Sequence, residues 1–177
     1  MLHLTDPIDE PAALRRAFGC CPSGVTALCA MDGGSPIGMA ASTFTGVSLD
    51  PPLVSVCVQL TSATWPRLRR LGRIGVSVLA EGHEAACLSL SKKGGDRFVD
   101  VAWSVTGSGA VVIDGASLWL ECDLTREVEA GDHAIALLHV VSARVEPGVA
   151  PLVFHGSRFR FLAPAHTRER PSDRVGR

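Results

Sequence analysis

Residues 38–58, GMAASTFTGVSLDPPLVSVCV, constrain the fold more than any other stretch of this chain. Pro51 and Pro52 cannot donate backbone hydrogen bonds, so they predict a turn rather than a central strand. The valine-rich run 53–58 that follows predicts a buried strand. Before the turn, most of residues 40–47 are small or carry hydroxyls, and such residues let a flat ligand approach the main chain. They are Ala40, Ala41, Ser42, Thr43, Thr45 and Gly46. On residue type alone, a β-hairpin with a polar loop is the simpler explanation of the segment.

The composition narrows the class of protein. A chain of 177 residues that is 46% hydrophobic and 20% charged predicts one compact domain. With a net charge of −1, the chain has no excess of basic residues that would attract nucleic acid or an anionic membrane. No apolar run reaches the roughly 20 residues that span a bilayer, and the N-terminus lacks a signal-peptide pattern. The six cysteines include no C-x-x-C pair and predict free thiols, so we expect a cytoplasmic protein without a metal site.

The order of the apolar runs predicts a mainly β fold with short helices. Short strands separated by Gly and Pro turns are typical of a β-barrel with helical additions. The predicted helices cover residues 6–19, capped by Asp6, a segment in which Trp65, Leu68 and Leu71 face inward, and residues 82–91. The predicted strands are 25–31, 37–41, 53–58, 75–79, 110–113, 118–128, 134–145 and 153–161. Residues 163–177 are charged and contain prolines, which predicts a flexible or partner-covering tail after a single domain, 1–162.

Several common catalytic motifs do not occur in the sequence. It contains no G-x-G-x-x-G, no P-loop and no G-x-S-x-G. The segment that begins His83-Glu84 lacks the second histidine of a zinc-binding helix, so a surface helix is predicted there. His139 lies within a predicted apolar strand, so we expect it to be a histidine of the core.

Four separate motifs carry a resemblance to a known family. They are A-S-x-F-x-x-V-S-L-D-P-P-L-V from Ala41, S-x-K-x-G-D-R-F from Ser91, G-D-H from Gly131, and P-L-V-F-H-G-S-R-F-R-F-L from Pro151. Over roughly residues 14–162 the chain resembles the flavin reductase family with the FMN-binding split-barrel fold, the small reductases of two-component flavin monooxygenases. The resemblance implies a homodimeric Greek-key split β-barrel. It also implies hydride transfer from NADH or NADPH to FMN or FAD, and delivery of reduced flavin to a separate monooxygenase, for example in aromatic or polyketide hydroxylation.

The resemblance implies a set of flavin-binding residues. Those along the isoalloxazine ring and ribityl chain are Ala41, Ser42, Thr43, Ser48 and Leu49, and those near the phosphate are Ser62, Thr64, Arg97 and Phe98, with Lys92 or Lys93 beside them. On residue type alone, the hydroxyls of residues 61–64 are more typical of a helix N-cap. An arginine in a glycine-rich loop can bind phosphate or simply face solvent.

The same resemblance implies a nicotinamide site. His133 would position the nicotinamide, Asp132 would orient His133, and His155 and Arg158 would help to hold the dinucleotide. Without the resemblance, Gly131-Asp132-His133 reads as a hairpin turn and residues 151–162 as a terminal amphipathic strand. Two other functions stay open: a flavin-binding protein without reductase turnover, and a split-barrel enzyme with its own organic substrate. The G-D-H and H-x-x-R motifs favour the reductase, because neither alternative needs a nicotinamide site.

Overall fold

The computed structural model describes residues 10–163, which form antiparallel strands and three short helices. The helices are α1 (Pro11–Gly19), α2 (Trp65–Leu68) and α3 (Glu84–Leu90). The strands are β1 (Ser23–Gly24), β2 (Thr26–Asp32), β3 (Ser35–Ala41), β4 (Thr45–Leu49), β5 (Pro52–Gln59), β6 (Ile74–Val78), β7 (Trp103–Val105), β8 (Val111–Ile113), β9 (Leu118–Ala130), β10 (His133–Val145), β11 (Val153–His155) and β12 (Arg158–Arg160). This content confirms the predicted mainly β fold with short helices.

A seven-stranded antiparallel sheet in the order β3-β2-β6-β9-β10-β5-β4 forms the body of the molecule. The turn between β2 and β3 contains Gly33 and Gly34, both at positive φ, as the Asp32-Gly33-Gly34 sequence predicts. The chain runs from β3 at one edge of the sheet to β4 at the other through residues 42–44 only. Because β3 also contacts β5, the sheet curls until its edges approach each other, and residues 42–44 cross the remaining split.

The core lies on one face of this curled sheet. In β5, Val54, Val56 and Val58 are buried and alternate with half-buried residues, as period-two strand geometry requires. Trp65 and Leu68 of α2 pack into the same cluster, which confirms the expectation that Trp65 is a core residue. The indole N–H of Trp65 donates to Glu127 Oε1 at 2.6 Å.

A second cluster fills the space behind β2. It contains Cys29, Leu90, Phe98, Ile113 and Leu152, so β2 is buried on both faces. The backbones approach closely at Gly75, where a Cβ atom would lie 1.9 Å from the carbonyl oxygen of Val111. Only glycine allows β6 and β8 to approach to this distance.

The C-terminal part of the barrel differs from its prediction. The prediction of one strand over residues 153–161 was wrong, because this segment forms a hairpin of β11 and β12. In this hairpin His155 pairs with Arg158 across the turn. Gly156 and Ser157 both adopt positive φ, a conformation that the apolar pattern of the segment does not reveal. β11 also pairs with β1, which the sequence did not predict, to make a three-stranded sheet.

The N-terminal helix agrees with its prediction at one end only. The predicted cap Asp6 lies outside the described residues, and the described helix starts at Pro11 because Glu10 is extended. It ends at Gly19 as predicted, but none of its residues is buried. The predicted tail, apart from Ala163, also lies outside the described residues.

His139 is not a core residue. The buried residues of β10 are Ala134, Ala136 and Leu138, so His139 falls on the opposite face, where it is half-buried. The prediction was wrong because an apolar strand does not reveal which of its faces meets the core.

All six cysteines are free. Burial raises the pKa of the Cys29 thiol well above its ordinary value and raises the pKa of Cys122 to about 12. Within residues 10–163 no group of three or more His, Cys, Asp or Glu side chains is placed to hold a metal ion. In the same part of the chain, no helix has the length and apolar character needed to cross a membrane.

Candidate functional site

A cleft of about 530 Å³ opens at the split in the barrel. Its walls come from the end of β3, the crossing segment 42–44, the end of β5 and the loop after α3. The lining residues are Met39, Ala40, Ala41, Ser42, Thr43, Cys57, Val58, Gln59, Thr61, Ser62, Ala63, Leu90, Ser91, Lys92, Lys93, Arg97 and His133. The structure therefore brings together side chains from three of the four sequence motifs, those that begin at Ala41, Ser91 and Gly131, although they are far apart in the chain.

The crossing segment is held to β5 by a side chain rather than by its own backbone. Thr43 Oγ1 accepts a hydrogen bond from the N–H of Cys57 at 2.9 Å and donates one to the carbonyl oxygen of Cys57 at 3.0 Å. No hydrogen bond to the N–H of Ser42 or Thr43 is present within residues 10–163. These two amides are therefore left free to donate to a ligand at the cleft.

The opposite end of the cleft is positively charged. Arg97 Nη1 donates to the carbonyl oxygen of Gly38 at 3.0 Å and to Thr64 Oγ1 at 2.7 Å. Within the described part of the chain, Arg97, Lys92 and Lys93 form no salt bridge with a carboxylate. A guanidinium that is anchored through one nitrogen and has no acidic partner suits a phosphate group.

Two hydroxyls lie near Arg97 and have different partners. Ser62 Oγ accepts a hydrogen bond from the N–H of Trp65 at 3.1 Å, so it caps the short helix α2 while lining the cleft. Thr64 makes no capping bond and instead accepts from Arg97. Thr64 therefore acts on the cleft through the position of the guanidinium.

His133 is the first residue of β10 and lies on the wall of the cleft. Its Nδ1 is 2.7 Å from Oδ1 of Asp132, and this hydrogen bond, together with the charge of the imidazole, lowers the pKa of the Asp132 carboxyl. Asp132 side-chain exposure is 91% and that of His133 is 35%. An exposed carboxylate therefore sets the orientation of a half-buried ring, with Nε2 as the ring nitrogen not engaged by Asp132.

The structure does not bring every predicted site residue to the cleft. Ser48 and Leu49 lie on the edge strand β4 and outside the cleft lining. Phe98 is buried in the second core cluster, edge-on to Trp103. His155 and Arg158 face each other across the β11–β12 hairpin, also outside the lining. The proposed roles of these residues stay predictions.

Gln59 is a cleft residue that sequence reasoning missed. It ends β5 and is the cross-strand partner of His133 in the antiparallel register. Its amide therefore lies beside the imidazole in the lining of the cleft. No local sequence signal marks Gln59, because its position depends on a pairing between strands that are more than 70 residues apart.

The cleft combines three chemical features along its length. Small residues and bare amides lie at the crossing segment, cations lie at the loop after α3, and an oriented imidazole lies at the start of β10. A flat heterocycle rich in acceptors, with a phosphate at one end, fits this donor set. The imidazole of His133 then lies at one side of the place where the heterocycle would bind.

Comparison with known proteins agrees with this geometry. A family model described as a flavin reductase like domain matches residues 18–163. An NADH-dependent FAD reductase from Streptomyces globisporus is 43% identical over 168 residues, which cover 92% of this chain and 91% of the relative. The reductase subunit HsaB of a flavin-dependent monooxygenase from Rhodococcus jostii is 30% identical over 92% of this chain and 83% of its own length.

A solved structure shows the same fold. The NADH:FAD oxidoreductase SgcE6 of Streptomyces globisporus C-1027, in complex with NAD and FAD fragments, superposes with a TM-score of 0.85 at 41% identity. The match covers 92% of this chain and 98% of that one. The split barrel implied by the sequence resemblance is therefore confirmed, and the chain belongs to the flavin reductase-like domain family.

Proposed function

We propose that this protein is an NADH-dependent flavin reductase that supplies reduced flavin to a separate flavin-dependent monooxygenase. The relatives named above are a reductase of FAD that depends on NADH and a reductase subunit of a monooxygenase. The observation that carries the proposal is the cleft, in which bare amides, an oriented histidine and cations that form no salt bridge within residues 10–163 come together. Flavin bound there supplies the hydride-accepting chemistry, and the chain supplies binding and orientation.

The flavin ring would lie along Ala41, Ser42 and Thr43. The free N–H groups of Ser42 and Thr43 can donate to the acceptor edge of the ring, where they would stabilise negative charge that develops on reduction. The phosphate would lie near Ser62, Arg97 and Lys93. Neither end needs a side-chain nucleophile, and the catalytic requirement is close and correct placement of two rings.

The nicotinamide would lie across the flavin ring on the His133 side. Asp132 keeps the imidazole in one orientation, so His133 can position the carboxamide of the nicotinamide without moving. His155 and Arg158 would hold the part of NADH that extends out of the cleft. Their hairpin is anchored by Phe154 and Phe159, which pack against the second core cluster, behind β2.

The unburied face of the sheet supports a homodimer. Leu53, Ile135 and Leu137 lie on the face of β5 and β10 opposite the core, and the edge strand β4 exposes Leu49 at 96%. An apolar face of this kind marks an interaction surface. Cys57 lies on the same face of β5 as Leu53, His133 lies on the same face of β10 as Ile135, and both residues line the cleft. A second copy bound to this face would therefore border the flavin site.

A cytoplasmic location is part of the same proposal. All six cysteines are free, which suits a reducing compartment.

Anaerobic mixing tests the proposed function most directly. The protein is mixed with NADH and either FMN or FAD, and flavin absorbance is followed. We expect rapid bleaching that depends on both protein and nicotinamide. Flavin that binds but does not bleach would show a binding protein without reductase turnover, and the absence of both effects would remove the flavin assignment altogether.

A further inference from the structure

Gln59 and His133 face each other on the wall of the cleft. Gln59 is the last residue of β5, His133 is the first residue of β10, and the two are cross-strand partners. Both line the cleft. The amide of Gln59 can donate and accept hydrogen bonds, yet neither flavin binding nor the orientation of His133 by Asp132 uses it.

The register of the two strands brings these side chains close together. The N–H of Leu60 donates to the carbonyl oxygen of Asp132 at 3.0 Å, so these two residues form a hydrogen-bonded pair. Hydrogen-bonded and non-hydrogen-bonded pairs alternate along an antiparallel ladder. Gln59 and His133 are therefore a non-hydrogen-bonded pair, whose Cα atoms lie about 4.5 Å apart and whose side chains are closest.

The hydrogen-bonding groups of this pair are complementary to a primary carboxamide. Because an ionised carboxylate only accepts hydrogen bonds, Nδ1 of His133 is the donor to Asp132. In the neutral imidazole, Nε2 is then an acceptor. The amide of Gln59 forms no hydrogen bond within residues 10–163, so its N–H groups can donate into the cleft. An acceptor and a donor thus lie side by side.

We propose that Gln59 determines specificity for the carboxamide of nicotinamide, by donating a hydrogen bond to its carbonyl oxygen while Nε2 of His133 accepts one from its N–H. The proposal rests on the NADH-dependent function proposed above and adds to it the residue that selects the dinucleotide. A site that pairs both groups of an amide rejects analogues that lack either group, because its own polar atoms are then left unpaired.

The position of Gln59 favours the nicotinamide over the flavin ring. The flavin ring would lie along the crossing segment 42–44, which Thr43 joins to Cys57. Gln59 is two residues further along β5, which is about 7 Å. Its neighbour at that point is His133, the residue that borders the nicotinamide in the proposed function.

The test compares three oxidised dinucleotides: NAD, its 3-acetylpyridine analogue and its thionicotinamide analogue. The acetylpyridine keeps the carbonyl oxygen and lacks the N–H. The thionicotinamide keeps the N–H and carries sulfur, a weak acceptor, in place of the oxygen. Dissociation constants are measured by calorimetry on protein saturated with oxidised FAD, so no hydride is transferred.

Two variants remove the donor at position 59. Gln59→Leu removes the amide, and Gln59→Glu keeps the size of the side chain but, when ionised, only accepts hydrogen bonds. Gln59 is exposed, so the fold should tolerate both changes. Leu60→Ala is the matched control, because Leu60 is the next residue, is also exposed and lies outside the cleft lining.

We expect the unaltered protein to bind NAD about fivefold more tightly than either analogue, the value of one hydrogen bond. Both variants of Gln59 should lose the preference over the thionicotinamide analogue and keep the preference over the acetylpyridine analogue. His133→Ala should show the reverse pattern, and Leu60→Ala should keep both preferences.

An unchanged preference over the thionicotinamide analogue in both Gln59 variants would overturn the proposal. A weaker affinity for FAD alone, with both preferences intact, would assign Gln59 to the flavin and overturn it as well. Loss of the preference in Leu60→Ala would attribute the effect to a disturbed strand and also count against it. Because the calorimetry requires no turnover, a failure of NADH to bleach the flavin would count against the proposed function alone.

Discussion

Thr43 and Cys57 are joined by two hydrogen bonds that replace a rung of the β-ladder. The single hydroxyl of Thr43 both accepts from the N–H and donates to the carbonyl of Cys57, at 2.9 and 3.0 Å. β4 and β5 begin their own pairing only at Thr45 and Ser55. The threonine side chain thus holds the crossing segment in place while the amides of residues 42 and 43 have no hydrogen-bond partner within residues 10–163, so both can donate to a bound ring.

Replacement of this hydroxyl should weaken flavin binding without removing the fold. Thr43→Val keeps the shape of the side chain and loses both bonds, at a cost of about 1–3 kcal/mol in the free energy of unfolding. We expect a several-fold rise in the flavin dissociation constant by fluorescence titration. Thr43→Ser keeps the hydroxyl and should restore binding. If Thr43→Val binds flavin as the unaltered protein does, the hydroxyl does not position the segment.

Arg97 should recognise the phosphate and not the ring. Arg97→Ala removes a charge-assisted hydrogen-bond donor, which is worth about 1.5–3 kcal/mol, so FMN affinity should fall by roughly ten- to a hundredfold. Riboflavin, which has no phosphate, provides the matched ligand, and its affinity should change little. Equal losses for FMN and riboflavin would show instead that the variant disturbs the contacts of Arg97 with Gly38 and Thr64.

His133 should affect the nicotinamide and spare the flavin. His133→Ala should raise the KM for NADH or slow bleaching in stopped-flow mixing, with an unchanged flavin dissociation constant. Asp132→Asn should produce a smaller effect of the same kind, because it weakens the bond that orients the ring. His139→Ala is the control, since His139 lies on the same strand and outside the cleft lining. Unchanged NADH kinetics in His133→Ala would refute the assigned role.

His83 should make the fold sensitive to acid. Burial lowers the pKa of His83 below 6.5, and its Nδ1 accepts a hydrogen bond from the N–H of Ala80 at 3.1 Å. Because the unfolded chain then binds the proton more strongly, stability falls as pH drops through the unfolded value of about 6.5. Urea unfolding at pH 7.5 and 5.5 should show a smaller loss in His83→Asn, whose amide oxygen can replace Nδ1 without titrating. Equal losses would show that other groups govern the acid response.

Local patterns predicted the parts of the fold that depend on neighbours in the chain. The Asp32-Gly33-Gly34 turn, the buried strand after Pro51-Pro52 and the inward-facing Trp65 all follow from residue type and spacing. Gly156-Ser157 is itself a two-residue sequence typical of a hairpin turn, and the prediction of one continuous strand over 153–161 overlooked it. The prediction that His139 is a core residue was wrong, because the sequence does not show which face of the sheet is covered by the core.

By itself, the sequence determined the family, the mainly β class and the residue types of the cleft, because motifs and hydrophobic periods are local properties of the chain. Only the tertiary structure decided which of those residues meet. Register places Gln59 beside His133, and packing turns Phe98 into the core while Arg97, the residue before it, reaches the cleft. These relationships join residues that are distant in the chain, and they arise from how the sheet curls and where its edges stop pairing.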